Sequence, residues 1–162
     1  HSILRPENED SQSSIVVNFS TSAGFSVKRI EIPDLPAPEK IGGLMGAYAE
    51  SKLALDILTC SLKPELLQDG ILIESIDPGA TKTSMTRGNS AMPWFIRMLR
   101  PLLFKSPQDR AKILVESIHK CIKDRKSGLY ISEGKEKSMP EIAENIALQR
   151  ELRTLLEELI KR

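Results

Sequence analysis

Apolar positions in this chain fall into short β-branched runs separated by helical stripes. Ser14-Ile-Val-Val-Asn-Phe-Ser20 is apolar at nearly every position and bounded by turn formers, which predicts a strand buried on both faces, as in parallel sheets. Ile71-Leu-Ile-Glu-Ser-Ile76 predicts a second such strand, stopped by the turn Asp77-Pro78-Gly79. Between them a helix is expected from about Ala47, with Leu53, Ile57, Leu58 and Cys60 along one side, until Pro64 kinks or closes it. Strand, helix, strand is a βαβ unit, so the two strands should lie parallel and the turns after Phe19 and Ile76 should meet at one sheet edge. The stretch from Phe25 to Gly46 carries Pro33, Pro36, Pro38, Gly42, Gly43 and Gly46, and predicts an ordered surface excursion.

The flanks read less sharply. Residues His1 to Ser13 look like a helix tail and a loop, and Thr81 to Asn89 is polar and turn-rich. Met92 to Phe104 is apolar apart from its arginines and prolines, which suits an amphipathic helix on the sheet or a lid over a pocket. Ser106-Pro107-Gln108-Asp109 starts a helix expected to reach about Ile122, with a serine cap, proline in the first turn and an acid at the positive end of the dipole. Gly128 to Ser132 predicts a third strand. Ser138-Met-Pro-Glu141 is expected to start a final helix, at about residues 140–161, striped by Leu152, Leu155, Leu156, Leu159 and Ile160.

With 162 residues, 40% of them hydrophobic and 28% charged, the chain suits one globular domain with a real core, and all of it is assigned to that domain. The 23 basic and 22 acidic side chains leave a formal charge of +1, no footprint for nucleic acid or an anionic membrane. No apolar run approaches the ~20 residues of a membrane span, and His1-Ser-Ile-Leu-Arg lacks the layout of a signal peptide, so a cytoplasmic location is expected. Cys60 and Cys121 stand apart in apolar patterns and read as core thiols, without a metal cluster or disulfide framework. His119, inside a helix near Lys120 and Lys123, reads as structural, and the Asn18-Phe-Ser20 glycosylation pattern falls on a buried strand.

The candidate chemistry lies at the start of the long helix. Tyr48 and Lys52 are four residues apart and share one helix face, so the ammonium can sit near the phenol. A phenol titrates near pH ~10, and a neighbouring cation favours the phenolate, bringing the group toward proton exchange in either direction. Taken in order, Asn18-Phe-Ser-Thr-Ser-Ala-Gly24, Tyr48-Ala-Glu-Ser-Lys52 and Pro78-Gly-Ala-Thr-Lys-Thr83 resemble the motifs of the short-chain dehydrogenase/reductase family. The resemblance runs from about Leu4 to Glu133, and the proline-rich excursion is similar to that of carbonyl-reductase-like and retinol-dehydrogenase-like members.

That resemblance implies an α/β fold, a Rossmann-like doubly wound parallel sheet, and an NAD(P)-dependent oxidoreductase interconverting a small alcohol and carbonyl with NADP or NAD. Tyr48 would be the general acid or base. Lys52 would lower its pKa and hold the nicotinamide ribose; Pro78 and Gly79 would admit the nicotinamide, with Thr81 beside them, and Thr83 would contact the carboxamide or pyrophosphate. The substrate-orienting serine falls on Thr21, with Ser22 as second candidate; alternatively the three hydroxyls of Ser20 to Ser22 merely cap the strand end. A homodimer or homotetramer pairing through the Tyr48 helix is also implied. No glycine-rich dinucleotide turn follows a first strand, so the fold is expected to be incomplete here, its N-terminal half outside this chain, and the chain alone is not expected to turn over substrate. The competing class is a non-catalytic interaction protein of the same fold.

Overall fold

The computed structural model describes residues 14–37, 46–81 and 105–161. Strands β1 (Ser14–Phe19), β2 (Ile71–Asp77), β3 (Tyr130–Ser132) and β4 (Lys135–Lys137) form one sheet in the order β1-β2-β3-β4. The helices are α1 (Gly46–Gln68), α2 (Pro107–Asp124) and α3 (Ile146–Ile160), with 3-10 turns at Ser22–Ser26, Ile32–Asp34 and Glu141–Glu144. β1 and β2 run parallel, Ser14 opposite Ile71 through Phe19 opposite Ile76, and β2 pairs parallel with β3. The α/β architecture and the βαβ unit are therefore as the apolar pattern predicts. The expectations for His1–Ser13 and for Met92–Phe104, and site residue Thr83, lie outside the described residues.

Burial separates the two parallel strands. All seven residues of β2 are buried, whereas β1 is half-buried throughout and Phe19 is 49% exposed, because β1 forms the outer edge of the described sheet. The expectation of a β1 buried on both faces is corrected accordingly. Side chains alternate along a strand, and the two faces divide as that requires. Leu66 of α1 packs on Ile71 and Ile73 with Val16, and Cys121 of α2 packs on Ile76 and Ile131 with Ile15 and Val17.

Pro64 does not end α1. The helix continues to Gln68 with the proline exposed and Leu66 buried beyond it. A missing backbone donor costs about 3 kcal/mol in a helix interior, and burying a leucine recovers a similar amount. α2 begins as read: Ser106 Oγ accepts from the Asp109 N–H at 3.1 Å, and Arg125, at φ 49, ends the helix two residues later than expected. β3 is shorter than the predicted run, since Gly128 turns at φ 75 and the Leu129 N–H bonds the Glu74 carboxylate at 2.6 Å. β4 went unpredicted. Glu133 and Gly134, with φ 54 and 85, close a two-residue hairpin into Lys135–Lys137, whose charged sequence carries no apolar alternation.

The last helix starts later than Ser138. Pro140 leads into the 3-10 turn, the Asn145 N–H closes that turn on Ile142 O, and the Asn145 side chain then accepts from the N–H groups of Ala147 and Leu148. Asparagine supplies the cap acceptor, so α3 begins at Ile146. Its Leu152 joins Leu53 and Ile57 of α1 with Ile30, Ile32 and Ala143 in the main core, with Leu155, Leu156, Leu58 and Cys60 against it, while Ile160 is 83% exposed. The apolar side of α1 is thus covered by its own chain.

Candidate active site

The C-terminal ends of β1 and β2 and the start of α1 converge. The Ser20 N–H bonds Ile76 O at 2.9 Å, carrying the parallel ladder one residue past β1, and Asp77 then ties the two following turns together. Its Oδ2 accepts the Ser22 N–H at 2.9 Å and its Oδ1 accepts the Gly79 N–H at 2.7 Å. The turns meet as topology predicts. Asp77, read from sequence only as a strand stop, is the residue that joins them.

Tyr48 lies in the first turn of α1 and is 48% exposed. The Lys52 Nζ sits 5.9 Å from the centroid of its ring and donates to Phe19 O at 2.8 Å. That bond fixes the ammonium between the phenol and the end of β1, a placement that the i, i+4 spacing alone does not supply. Thr21 adopts extended backbone at φ −156 and caps the turn Ser22–Ser26, its Oγ1 accepting from the Ala23 N–H at 3.5 Å. At that length the hydroxyl is weakly held and can turn to another partner. Ser22 is exposed, and it is its backbone N–H that bonds Asp77. Ser20 is buried with no partner for its Oγ.

The Pro78-Gly79 turn is braced from behind by a residue the sequence reading missed. Arg110 of α2 is buried, and its Nη2 donates to Ala80 O at 3.2 Å and to Glu133 Oε1 at 2.7 Å. Gly79 has φ 75, and a Cβ there would meet the Arg110 guanidinium at 2.9 Å and the Glu133 carboxylate, so only glycine fits between turn and brace. Thr81 Oγ1 donates to Gly79 O at 3.1 Å, which stiffens the same turn.

Behind Tyr48 and Lys52, α1 presents a polar row to the sheet. Thr59 Oγ1 accepts from Asn18 Nδ2 at 2.8 Å and lies 3.0 Å from Ser75 Oγ, which accounts for the side chain of Asn18. Asp56, fully buried, has no hydrogen bond to either carboxylate oxygen. Burial pushes its carboxyl up to about 6; the facing Ser75 and Ser20 hydroxyls pull it down, Asp77 adds to the rise and Lys52 opposes it. The Tyr130 hydroxyl, buried and unpartnered, is likewise pushed up by burial and then by Asp77 and Asp56. Its ring stands edge-on to Phe25 at 4.9 Å between centroids. Phe25, Val27 and Lys28 line one wall of a cleft of about 470 Å³ whose other wall is Met139 to Ile142.

Among the described residues no group of His, Cys, Asp and Glu could hold a metal ion, and no helix is long and apolar enough to cross a membrane. The thiols of Cys60 and Cys121 are pushed up to about 11 by burial. Neither is activated as a nucleophile.

A family model described as short chain dehydrogenase matches residues 38–94, and retinol dehydrogenase 13 of Mus musculus is 34% identical over 113 residues, 65% of this chain and 33% of that protein. Over these residues the chain is similar to the short-chain dehydrogenase family. It spans about a third of the length of that curated relative. Two solved structures are similar: the NADPH-bound carbonyl reductase from chicken fatty liver, with a TM-score of 0.52 and 21% identity, over 78% of this chain and 43% of that one; and the carbonyl reductase Sniffer of D. melanogaster, with a TM-score of 0.53 and 23% identity, over 81% of this chain and 44% of that one. These neighbours show that the chain shares their Rossmann-like α/β fold over the part that aligns.

Proposed function

We propose that the complete protein is an NAD(P)-dependent oxidoreductase that interconverts an alcohol and a carbonyl. The observation that carries this reading is the solvent-facing Tyr48 phenol with the Lys52 ammonium 5.9 Å from its ring, anchored on the end of β1 beside Thr21. The donor set suits a nicotinamide cofactor. Lys52 would hold its ribose, and Pro78, Gly79 and Thr81, on the turn braced by Asp77 and Arg110, would face the nicotinamide; Thr83 is proposed with them. When bound, that cofactor supplies or accepts the hydride.

The chain's own residues handle the proton and the geometry. Tyr48 gives its proton to the carbonyl oxygen in reduction and takes it from the alcohol in oxidation, and Lys52 stabilises the phenolate so formed. Thr21 donates a hydrogen bond to the same oxygen, where negative charge develops, and Ser22 is the second candidate for that role. The cleft along Phe25, Val27 and Met139 makes a rim on which substrate shape would be read. Titration of the complete protein with NADPH or NADH followed by fluorescence tests the cofactor. Tyr48→Phe tests the chemistry: general acid catalysis contributes about 100-fold to 10,000-fold, so a residual rate above roughly a tenth would remove the assignment.

A cytoplasmic location and a homodimer or homotetramer complete the proposal. Because α3 covers Leu53 and Ile57, a contact between copies would use other parts of α1. Sedimentation as a monomer at micromolar concentration would rule out that assembly.

A further inference from the structure

Tyr48, Lys52 and Asp56 follow one another at intervals of four on α1, with Lys52 between a phenol and a buried carboxyl. The ammonium stands 5.9 Å from the Tyr48 ring centroid, bonds Phe19 O, and favours the ionised form of Asp56 one helical turn on, as the smallest of the influences on that carboxyl. Asp56 is fully buried with neither carboxylate oxygen in good hydrogen-bonding geometry, and the facing Ser75 and Ser20 hydroxyls offset only part of the cost of burying it. The groups facing it are Lys52 and Cys60 from α1, Ser20 from the end of β1, Ser75 and Asp77 from β2, and Tyr130 from β3. The backbone of Gly24 also lies against it, close enough that a Cβ there would stand 3.5 Å from Asp56 Oδ2. Among the described residues, Lys52 is the one cation in that set.

We propose that Asp56 is a positioning residue for the Tyr48–Lys52 pair: its carboxylate competes with the phenol for the ammonium between them, and its neutral form leaves that charge to the phenol. This rests on the alcohol–carbonyl reading above. Asp56 is buried while Tyr48 is half exposed, so the carboxylate feels the ammonium through a less screened path than the phenol does. Burial holds the Asp56 carboxyl at about 6, so the competing charge appears between mildly acidic and neutral pH. Oxidation needs Tyr48 as a proton acceptor, and an ionised Asp56 therefore holds back the oxidation rate around pH 7. A buried residue kept only for packing would have the opposite effect when changed.

The test uses the complete protein. With NADP, and in parallel NAD, and benzyl alcohol as probe, Asp56→Asn is expected to move the pH of half-maximal oxidation downward and to raise the rate near pH 7. An unmoved or upward-shifted profile, with turnover present, overturns the proposal. The second measurement needs no turnover: the Asp56 carboxyl is followed by carbon-13 NMR in wild type and in Lys52→Met, or in Lys52→Gln if the first variant does not fold. Removing the cation should raise the Asp56 midpoint by about 0.3 pH unit or more, because coupling between two groups is reciprocal. An unchanged midpoint shows that Lys52 is not shared and overturns the proposal. A wild type that turns over no probe with either nucleotide counts against the oxidoreductase reading, while the NMR midpoints still decide the coupling.

Discussion

Asp77 and Arg110 hold the two functional turns by bonds that cross long stretches of sequence. Asp77 reaches Ser22 across 55 residues and Arg110 reaches Ala80 across 30, which is why neither was legible in the sequence. Tyr48 and Lys52 were legible because helix geometry alone puts them on one face. Thr21 lay between: its motif position was readable, whereas its long contact to Ala23 was not. Asp77→Asn replaces one of two acceptors by an amide that opposes a backbone N–H, so it should cost about 1–3 kcal/mol by urea unfolding and lower turnover with it. Thr21→Val should reduce turnover of the complete protein more than Ser20→Ala, since valine keeps the shape and loses only the hydroxyl. If Ser22→Ala is the damaging change instead, the substrate oxygen belongs to Ser22.

Among the elements, capping chemistry decided boundaries that apolar stripes left open. The stripe of α3 was visible, but its start was not, because Ser138 and Asn145 both offer a capping side chain and only Asn145 follows a closed 3-10 turn. Asn145→Ala should lower stability by about 1 kcal/mol, read as a shift in the urea midpoint with an unchanged slope. A loss near zero would mean that the helix is held by Leu152 and its neighbours alone. The strand β4 escaped notice for a different reason: Lys135-Glu-Lys137 pairs through its backbone and a surface network in which Lys120 and Lys126 bond Glu136 at 3.1 and 2.7 Å. Such exposed pairs contribute little each, so backbone pairing and the hairpin turn set that strand.

For the whole molecule, two buried carboxyls set the sign of the pH dependence. Burial raises Asp56 from 3.8 to about 6 and Glu74 from 4.5 to about 7, so the folded state binds protons more tightly than the unfolded chain. Stability is then greatest below about pH 4 from these two groups and falls as pH rises through 6 and 7, by roughly 3 kcal/mol for each. Thermal unfolding at pH 5 and 7.5 checks this, with Asp56→Asn and Glu74→Gln each expected to flatten the slope; a wild type more stable at pH 7.5 would refute it. The chain alone, matching 33% of its curated relative, should bind NADPH far more weakly than the complete protein, and micromolar saturation would contradict that. The packing of α3 on α1 also bears on synthesis. Leu53 and Ile57 emerge from the ribosome after Ile30 and Ile32 but long before Ala143 and Leu152, so the helix carrying Tyr48 and Lys52 is made with only part of its apolar cover and gains the rest when almost the whole described chain has been translated. The half-covered helix is therefore open to capture by holdase chaperones during translation, and the packing behind the candidate site is completed late, by residues outside it.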